Sequence, residues 1–292
     1  MTAAEERGMG GRRLAGLAVM AVLAVGVGCG SDEDASGGSG GESQPAEPSQ
    51  LAIELTGSAK KPTYSVPKSV EGGVVEITFT NSAKGGHSAQ LVGAKDGHTP
   101  KEALAAGQAW GENGRALPEW VVLAGGFGDV EAGQSASVTQ ELEPGSYVVA
   151  DLATNVSATF EVTGDGGAGE LPADGGTVEA TEYAFASSGL TPGKSEILFD
   201  NAGGEPHFIA AVGLKPGATI AQARRFFETE KGRPPFDESR SFNTAVLDGG
   251  RSQSVEVELT DGTYALVCFV PDRAGGPPHV VKGMISEAVV GG

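Results

Sequence analysis

One stretch near the C-terminus, CFVPDRAGGPPHVVKGM from Cys268 to Met284, combines three side chains that could do chemistry. It holds a thiol, the imidazole of His279 and the thioether of Met284, with the last two five residues apart. The chain has two cysteines, and the other, Cys29, lies near the N-terminus. Because Cys268 then has no disulfide partner, three explanations remain: a buried inert thiol, a reactive thiol, or a site for a soft metal ion.

The N-terminus has the features of an export signal. Three arginines precede an apolar run from Leu14 to Val27, which is shorter than the ~20 residues of a transmembrane helix. Gly28-Cys29 follows and resembles the cleavage box of a bacterial lipoprotein, although Gly26 stands where such boxes usually carry Leu or Val. We expect residues 1–28 to be a signal peptide and a lipid on Cys29 to be the sole membrane anchor. Plain secretion after cleavage nearby is the alternative.

Composition limits the partners of this chain. It has 292 residues and a formal charge of −18 at pH 7, which repels nucleic acid and anionic lipid headgroups. Residues 29–50 consist mostly of Gly, Ser, Pro and acidic residues, so they predict a flexible tether between the anchor and the folded part. We therefore expect no nucleic-acid binding and no membrane contact beyond the lipid.

The rest of the sequence has the pattern of a duplication. GGVVEITFTNSAKGGHSAQLVGAKDGHTPKEA, from Gly72, aligns without a gap with PGKSEILFDNAGGEPHFIAAVGLKPGATIAQA, from Pro192, and this places His87 opposite His207. A later pair of segments aligns in the same order and places Asp151 opposite Cys268. Such matches at a nearly constant offset indicate two copies of one domain. The predicted copies span residues 51–163 and 177–292, with a linker at 164–176.

Each copy is predicted to consist mainly of strands. VEITFTN and SEILFDN alternate apolar and polar residues, and a later segment of each copy predicts two strands around a short turn, Pro-Gly in one and Asp-Gly in the other. One short helix interrupts each copy, because Thr99-x-x-Glu102 and Thr219-x-x-Gln222 have the capping-box pattern. The prediction is an all-β fold of β-sandwiches, each with a short helical insertion.

Two parts of the second copy resemble the cupredoxin family. GKSEILFDNAGGEPHF is similar to the cupredoxin strand that ends in Asn and leads to a ligand histidine, and DGTYALVC, followed by PH and GM, is similar to the final strand and ligand loop. The resemblance extends over both copies and implies two tandem cupredoxin-like Greek-key β-sandwiches of the plastocyanin and azurin type. It also implies one type 1 copper ion in the C-terminal copy, with ligands His207, Cys268 and His279 and a weak axial Met284.

The residue types agree with what the resemblance implies. Thiolate, imidazole and thioether are soft or borderline donors that favour copper over magnesium or calcium, and structural zinc would not select methionine. The sequence departs from the family in one respect, since ten residues, 269–278, separate Cys268 from His279 where small cupredoxins have a few. This loop must fold back to aim the imidazole at the sulfur, and its three prolines would stiffen the return.

Each candidate ligand also has a structural explanation. Cys268 could be a core thiol, although Asp151 at the equivalent position favours a polar strand end. His207 could cap a turn, because His87 recurs in a copy without cysteine, and Met284 could be ordinary core packing. The first copy, which offers no His or Met after Asp151, is predicted to bind no type 1 copper.

These observations predict a lipid-anchored electron carrier on the outer face of a bacterial membrane, with His279 near the solvent-exposed end as the exit route. Its redox or copper-exchange partner is not identified by the sequence. Copper delivery or storage is an alternative, as is a metal-free binding module on the same fold. An enzyme is the weakest candidate, because the four histidines form no His-x-His pair and no His-Cys dipeptide of the kind that multicopper oxidases and copper nitrite reductases need.

Overall fold

The computed structural model describes residues 47–58, 61–151, 154, 156–167 and 169–291. The predicted signal peptide, the lipidation site at Cys29 and almost all of the tether lie outside these residues. Within the described ranges, the chain forms seventeen β-strands, two α-helices and one short 3₁₀ helix. None of the helices in this part of the chain has the length and apolar character needed to cross a bilayer.

Residues 49–163, called the N-terminal half below, contain the following elements: β1 Ser49–Ser58, β2 Lys61–Ser65, β3 Ser69–Glu71, β4 Gly73–Asn81, β5 His87–Ala94, α1 Pro100–Asn113, β6 Val121–Val130, β7 Ser135–Leu142, β8 Gly145–Asp151 and β9 Val156–Thr163. Residues 177–290, the C-terminal half, contain β10 Thr177–Thr181, β11 Ala184–Ser188, β12 Gly193–Asn201, β13 Ala210–Leu214, α2 Ile220–Thr229, β14 Phe236–Asn243, β15 Arg251–Leu259, β16 Gly262–Val267, the 3₁₀ helix His279–Lys282 and β17 Ile285–Val290.

The strands form three sheets in the described part of the chain. An eight-stranded sheet has the order β11-β10-β12-β15-β7-β4-β1-β2. A five-stranded sheet, β3-β9-β8-β5-β6, belongs to the N-terminal half, and a four-stranded sheet, β14-β13-β16-β17, belongs to the C-terminal half. Buried apolar side chains from all three sheets form one continuous core, so each half is a β-sandwich with one layer taken from the shared sheet.

The strand patterns arise from alternating burial, as the sequence predicts. In β4, Val75, Ile77 and Phe79 are fully buried, while Glu76 and Thr78 between them are partly exposed. This two-residue period is expected where one face of a strand covers the core. The predicted strands around each short turn are also present. They do not pair with each other, however, because β7 and β15 lie in the shared sheet while β8 and β16 lie in the smaller ones.

Both predicted capping boxes are present. The side chain of Thr99 accepts from the backbone N–H of Glu102 at 3.3 Å, and the Glu102 carboxylate accepts from the Thr99 N–H at 2.8 Å. Thr219 and Gln222 form the same reciprocal pair at the start of α2. Helix α2 then packs its apolar side against Phe236 and the four-stranded sheet, as the apolar stripe predicts.

The two halves are joined by direct strand pairing. Strand β15 pairs antiparallel with β7, which makes the eight-stranded sheet continuous. Residues 244–248, called the junction segment, lie between the halves, with isolated bridges from Leu247 to Ala124 and from Thr244 to Phe127. The described residues form one compact unit. The candidate metal ligands lie on the C-terminal side of this junction.

Candidate metal centre

His207 is held by backbone pairing shortly after β12. That strand ends at Asn201, whose side-chain amide donates to the carbonyls of Glu205 (2.8 Å) and Leu247 (2.9 Å) and so closes the turn before the histidine. His207 then exchanges two backbone hydrogen bonds with Leu247, at 3.0 and 2.8 Å. The imidazole is fully buried. The turn and the junction segment therefore fix this side chain from both directions.

Cys268 directly follows β16 and is also fully buried. Its N–H donates to the carbonyl of Met284 at 3.4 Å, and its carbonyl accepts from the N–H of Val280 at 2.8 Å. Burial raises the pKa of this thiol to about 11, although the backbone N–H groups of Phe208 and Val270 act to lower it. A cation beside the sulfur is needed to hold the thiolate form at neutral pH.

Residues 269–278, called the ligand loop below, return the chain from Cys268 to His279. The return is closed by the N–H of His279, which donates to the carbonyl of Val270 at 2.9 Å. Pro278 precedes the 3₁₀ helix, which begins at His279. The ten-residue length therefore does not carry the imidazole away from the cysteine.

Three donor atoms converge on one point. The Sγ of Cys268 lies 3.7 Å from Nδ1 of His207 and 3.5 Å from Nδ1 of His279, and the two nitrogens are 3.0 Å apart. With bonds of ~2.0–2.1 Å to nitrogen and ~2.3 Å to sulfur, donors around one ion lie about 3.3–3.8 Å apart. The triangle is close to that size, and in the described residues it is the one cluster of three potential metal-binding side chains of this kind.

The backbone of Met284 is hydrogen-bonded to two residues of this triangle, Cys268 and His279. Met284 is fully buried, and it belongs to the same core cluster as Cys268. Its N–H donates to the carbonyl of His279 at 2.9 Å, one turn after that ligand. The structure therefore brings all four sequence-predicted residues to one end of the C-terminal sandwich, with Met284 attached to both Cys268 and His279 through the backbone.

Both imidazoles are held in the neutral form. Burial, together with the positive charge of a protonated His279, lowers the pKa of His207 to about 4. Burial also lowers the pKa of His279, while a hydrogen bond to Asp272 acts to raise it. A neutral imidazole has a free lone pair on one nitrogen, which is the state that a metal ion requires.

The second nitrogen of His279 is bound by a carboxylate. Nε2 donates to Oδ1 of Asp272 at 2.9 Å, which leaves Nδ1 as the acceptor that faces the sulfur. Asp272 also accepts from the hydroxyl of Tyr183 at 3.1 Å and from Nζ of Lys282. Although burial acts to raise it, hydrogen bonds from Lys282, Tyr183 and His279 hold the pKa of Asp272 below its usual value.

His279, predicted to lie near the solvent-exposed end, is itself covered. The side chain is 0% exposed, since the ring of Tyr183 packs against it edge-on at 5.4 Å and Asp272 covers its Nε2. Tyr183, which lies at the turn between β10 and β11, is itself 39% exposed. The imidazole thus reaches the surface through a tyrosine and not directly.

The N-terminal half has a different arrangement at the corresponding place. Nδ1 of His87 lies 2.7 Å from Oδ2 of Asp151, and both side chains are buried. Asp151 also accepts from the hydroxyls of Thr154 (2.6 Å) and Ser88 (3.3 Å). A carboxylate with three hydrogen bonds therefore lies where the C-terminal half has its thiol.

Sequence reasoning missed the residues that surround the ligands. Asp272 and Lys282 lie inside the stretch that attracted attention, but only the folded loop shows that Asp272 binds His279 and that Lys282 binds Asp272. Tyr183 comes from another hairpin, nearly a hundred residues earlier, and Trp110 and Leu117 come from the other half of the chain. No local pattern connects these residues with the site.

No protein-family model matches the sequence, and a search of curated proteins found no match. Similar solved structures include auracyanin B, with 26% identity over 42% of this chain and 93% of that one at a TM-score of 0.26. Dithionite-reduced auracyanin from the photosynthetic bacterium Roseiflexus castenholzii has 20% identity over 40% and 95% of the two chains (TM-score 0.25). Copper nitrite reductase from Nitrosomonas europaea has 14% identity over 82% and 93% (TM-score 0.23).

The strand order and the site geometry are observations that do not depend on these matches, whose TM-scores are low. Both halves are cupredoxin-like β-sandwiches. The donor set of the C-terminal half, two neutral imidazoles and one thiol converging from a strand end, a turn and a loop, fits one copper ion. The donor types and the distances between the donor atoms are both consistent with one copper ion.

Proposed function

We propose that this protein is an exported carrier of single electrons, with one type 1 copper ion bound by His207, Cys268 and His279 and by Met284 as a weak axial ligand. The convergence of Sγ and the two Nδ1 atoms within 3.7 Å of one another supports the proposal. Copper in such a mixed soft site cycles between Cu(I) and Cu(II), which is the chemistry of electron transfer.

The side chains suit this role because they hold a fixed, dry geometry. All four are 0% exposed, so water does not enter as an extra ligand when the charge of the ion changes. Each ligand is also attached by backbone hydrogen bonds to a neighbouring strand or loop. A cage that does not rearrange keeps the barrier to electron transfer low.

Delivery or storage of copper has less support, because both processes require ligands that an incoming protein can reach. The ligands are sealed beneath Tyr183 and the ligand loop. An electron does not need such direct access, since a partner can approach the covering residues. In the described part of the chain, three of the four exposed large apolar side chains, Tyr183, Phe269 and Val281, lie next to ligands in sequence or space.

We infer that the lipid on Cys29 and the tether of residues 29–50 hold the carrier at the outer face of the cell membrane. This rests on the sequence pattern of the N-terminus. It gives the carrier a restricted search volume in which to meet a membrane-bound or extracytoplasmic redox partner.

We also infer that the described residues form no catalytic copper centre. His87 is hydrogen-bonded to Asp151 inside the N-terminal half. His98 is stacked on Trp120 at 3.8 Å and lies near Glu102. Neither histidine is therefore placed to complete a second copper site beside the first.

The test compares two cysteine variants of the purified protein. Loading with one equivalent of Cu(II) is expected to give an intense blue thiolate-to-copper band in the wild type, and Cys268→Ser should lose it. Cys29→Ser is the matched control, because it removes the other cysteine and should leave the colour unchanged. Tight binding of Cu(I) without any Cu(II) colour would favour delivery or storage instead. Native protein without copper that also takes up none would favour a metal-free module.

A further inference from the structure

The central residues of the ligand loop are hydrogen-bonded to the N-terminal half. The indole N–H of Trp110, on α1, donates to the carbonyl of Asp272 at 2.7 Å. One residue later, the carbonyl of Arg273 accepts from the N–H of Leu117 at 2.6 Å. The loop also passes so close to the end of α1 that a Cβ on Gly275 would lie 2.3 Å from the carbonyl oxygen of Gly114. These contacts connect two parts of the chain that are more than 150 residues apart.

Arg273 adds a second set of contacts across the same boundary. Its guanidinium donates to the carbonyl of Pro118 at 2.8 Å and to Oδ1 of Asp248 at 2.7 Å. The other oxygen of Asp248 accepts from the N–H of Leu123 in β6 at 2.9 Å. Arg273 and Asp248 are mostly buried, with side chains 17% and 12% exposed. A buried charge pair of this kind is costly to break, because each partner would lose its counter-charge away from water.

Asp272 connects these contacts to the metal centre. Its carbonyl accepts from Trp110, while its carboxylate accepts from Nε2 of His279. A carboxylate on the outer nitrogen of a ligand histidine fixes the tautomer, sets the ring orientation and raises the basicity of the inner nitrogen. A displacement of Asp272 would therefore turn Nδ1 of His279 away from the sulfur.

We propose that Asp272 is the positioning residue for His279 and that the N-terminal half, through Trp110, Leu117 and the Pro118 carbonyl bound by Arg273, holds Asp272 in place. The N-terminal half then serves as a clamp on the ligand loop of its neighbour. This inference rests on the proposed copper site, and it assigns a role to a half of the molecule whose own His87 is paired with Asp151.

The length of the loop explains why a clamp is needed. A loop of ten residues has many conformations, and ordering it costs more than ordering a loop of a few residues. Contacts with a rigid neighbour reduce that freedom before any metal binds, which lowers the cost of assembling the site. The same logic applies to His207, because Leu247, its backbone partner, bridges to Ala124 of the N-terminal half.

The test uses four variants of the full protein. Trp110→Phe removes the indole N–H together with part of the buried ring, and Trp120→Phe is its matched control for the loss of ring size, since Trp120 stacks on His98. Asp272→Ala removes the carboxylate, and Asp272→Asn keeps an acceptor without the charge. The readouts are Cu(II) affinity, the electron paramagnetic resonance spectrum and the reduction potential. In metal-free protein they are hydrogen exchange of residues 269–283 and the tautomer of His279 from ¹⁵N NMR.

We expect Asp272→Ala to weaken Cu(II) binding about 10–100-fold, as is usual when the outer partner of a ligand histidine is lost. Asp272→Asn should recover part of the affinity and of the spectrum. Trp110→Phe should weaken binding about three- to tenfold, the range expected for one hydrogen bond, and should speed exchange in the ligand loop. Trp120→Phe should change none of these quantities.

The clamp and the copper site can fail separately. If copper binds but Asp272→Asn and Trp110→Phe leave affinity, spectrum, potential and loop exchange unchanged, the positioning proposal is overturned and the electron carrier stands. If the wild type binds no copper, the proposed function fails. The metal-free readouts then still decide whether Trp110 and Asp272 fix the loop and the tautomer of His279. The two milder variants settle the question even if Asp272→Ala does not fold.

Discussion

The buried side chains of the candidate metal centre differ in whether they must lose a proton before they can bind a metal ion. The two imidazoles are neutral at pH 7, because burial holds the pKa of each below its ordinary value. The thiol of Cys268 is protonated there, because burial raises its pKa to about 11. Binding of a copper ion therefore releases a proton from sulfur, while the nitrogens need no change.

The depressed pKa of His207 predicts a loss of stability in acid. Its folded value of about 4 is below the ordinary value of about 6.5, so the unfolded chain binds an extra proton between these limits. The free energy of unfolding of metal-free protein should therefore fall as the pH is lowered from about 6.5 to about 4. Urea titrations of wild type and His207→Gln across this range measure the effect. The exposed His98→Gln variant is the control, and an equal slope in wild type and His207→Gln would contradict the prediction.

Replacement of Met284 by leucine tests the proposal that this residue is the axial ligand. The swap nearly conserves volume, so the folded state should lose less than about 1.5 kcal/mol. A thioether donates electron density to the ion and favours Cu(II), so its loss should raise the reduction potential, by about 59 mV for each tenfold loss of Cu(II) affinity relative to Cu(I). Voltammetry of the two proteins measures the shift. An unchanged potential would mean that Met284 only fills the core.

Helix α2 connects the outer edge of the C-terminal sandwich to the metal centre. Arg224 donates to the carbonyl of Ile285, the residue after Met284, at 2.7 Å. The ring of Phe227 packs on Phe269, the residue after Cys268, with centroids 5.6 Å apart. The helix thus contacts the neighbours of two ligands without providing a ligand itself.

The capping box of α2 should contribute measurably to stability. Thr219→Ala removes the hydroxyl that accepts from the N–H of Gln222, and loss of such a cap costs about 1 kcal/mol. Thr219→Ser keeps the hydroxyl and is the matched control. Chemical unfolding followed by circular dichroism gives both values, and the proposal of a stabilising cap fails if the alanine and serine variants are equally stable.

At the scale of the whole molecule, the two halves share both a sheet and buried polar contacts. The side chain of Gln90 donates to the carbonyl of Val246 at 2.9 Å and accepts from its N–H at 2.8 Å. It also donates to the carbonyl of Gly125 at 3.1 Å. Because Gln90 is 3% exposed, these groups have no access to water when it is removed. The boundary between the halves thus has the buried, hydrogen-bonded packing of a protein interior, which differs from the exposed linker of a hinge.

Gln90→Met should therefore lower the free energy of unfolding by about 1–3 kcal/mol, the cost of leaving a buried polar group without a partner. Gln50→Met, at an exposed glutamine in the same half, should change it by less than about 0.5 kcal/mol. Wild type should unfold in one transition, because β7 and β15 separate only when both sandwiches lose their shared sheet. Calorimetry tests both statements, and two resolved transitions would show that the halves unfold independently.

Features that depend on neighbouring residues were available from the sequence alone. Alternation in β4 and the capping boxes at Thr99 and Thr219 follow from short patterns, because periodicity and capping act over a few positions. The donor set of His207, Cys268, His279 and Met284 was implied by the resemblance of two segments to the cupredoxin family. The remaining features depend on contacts between distant segments. The burial of His279 beneath Tyr183, its hydrogen bond to Asp272 and the contact of Trp110 with the ligand loop were decided by packing between segments far apart in the chain. Such contacts depend on which surfaces meet after folding, and a linear pattern does not encode that.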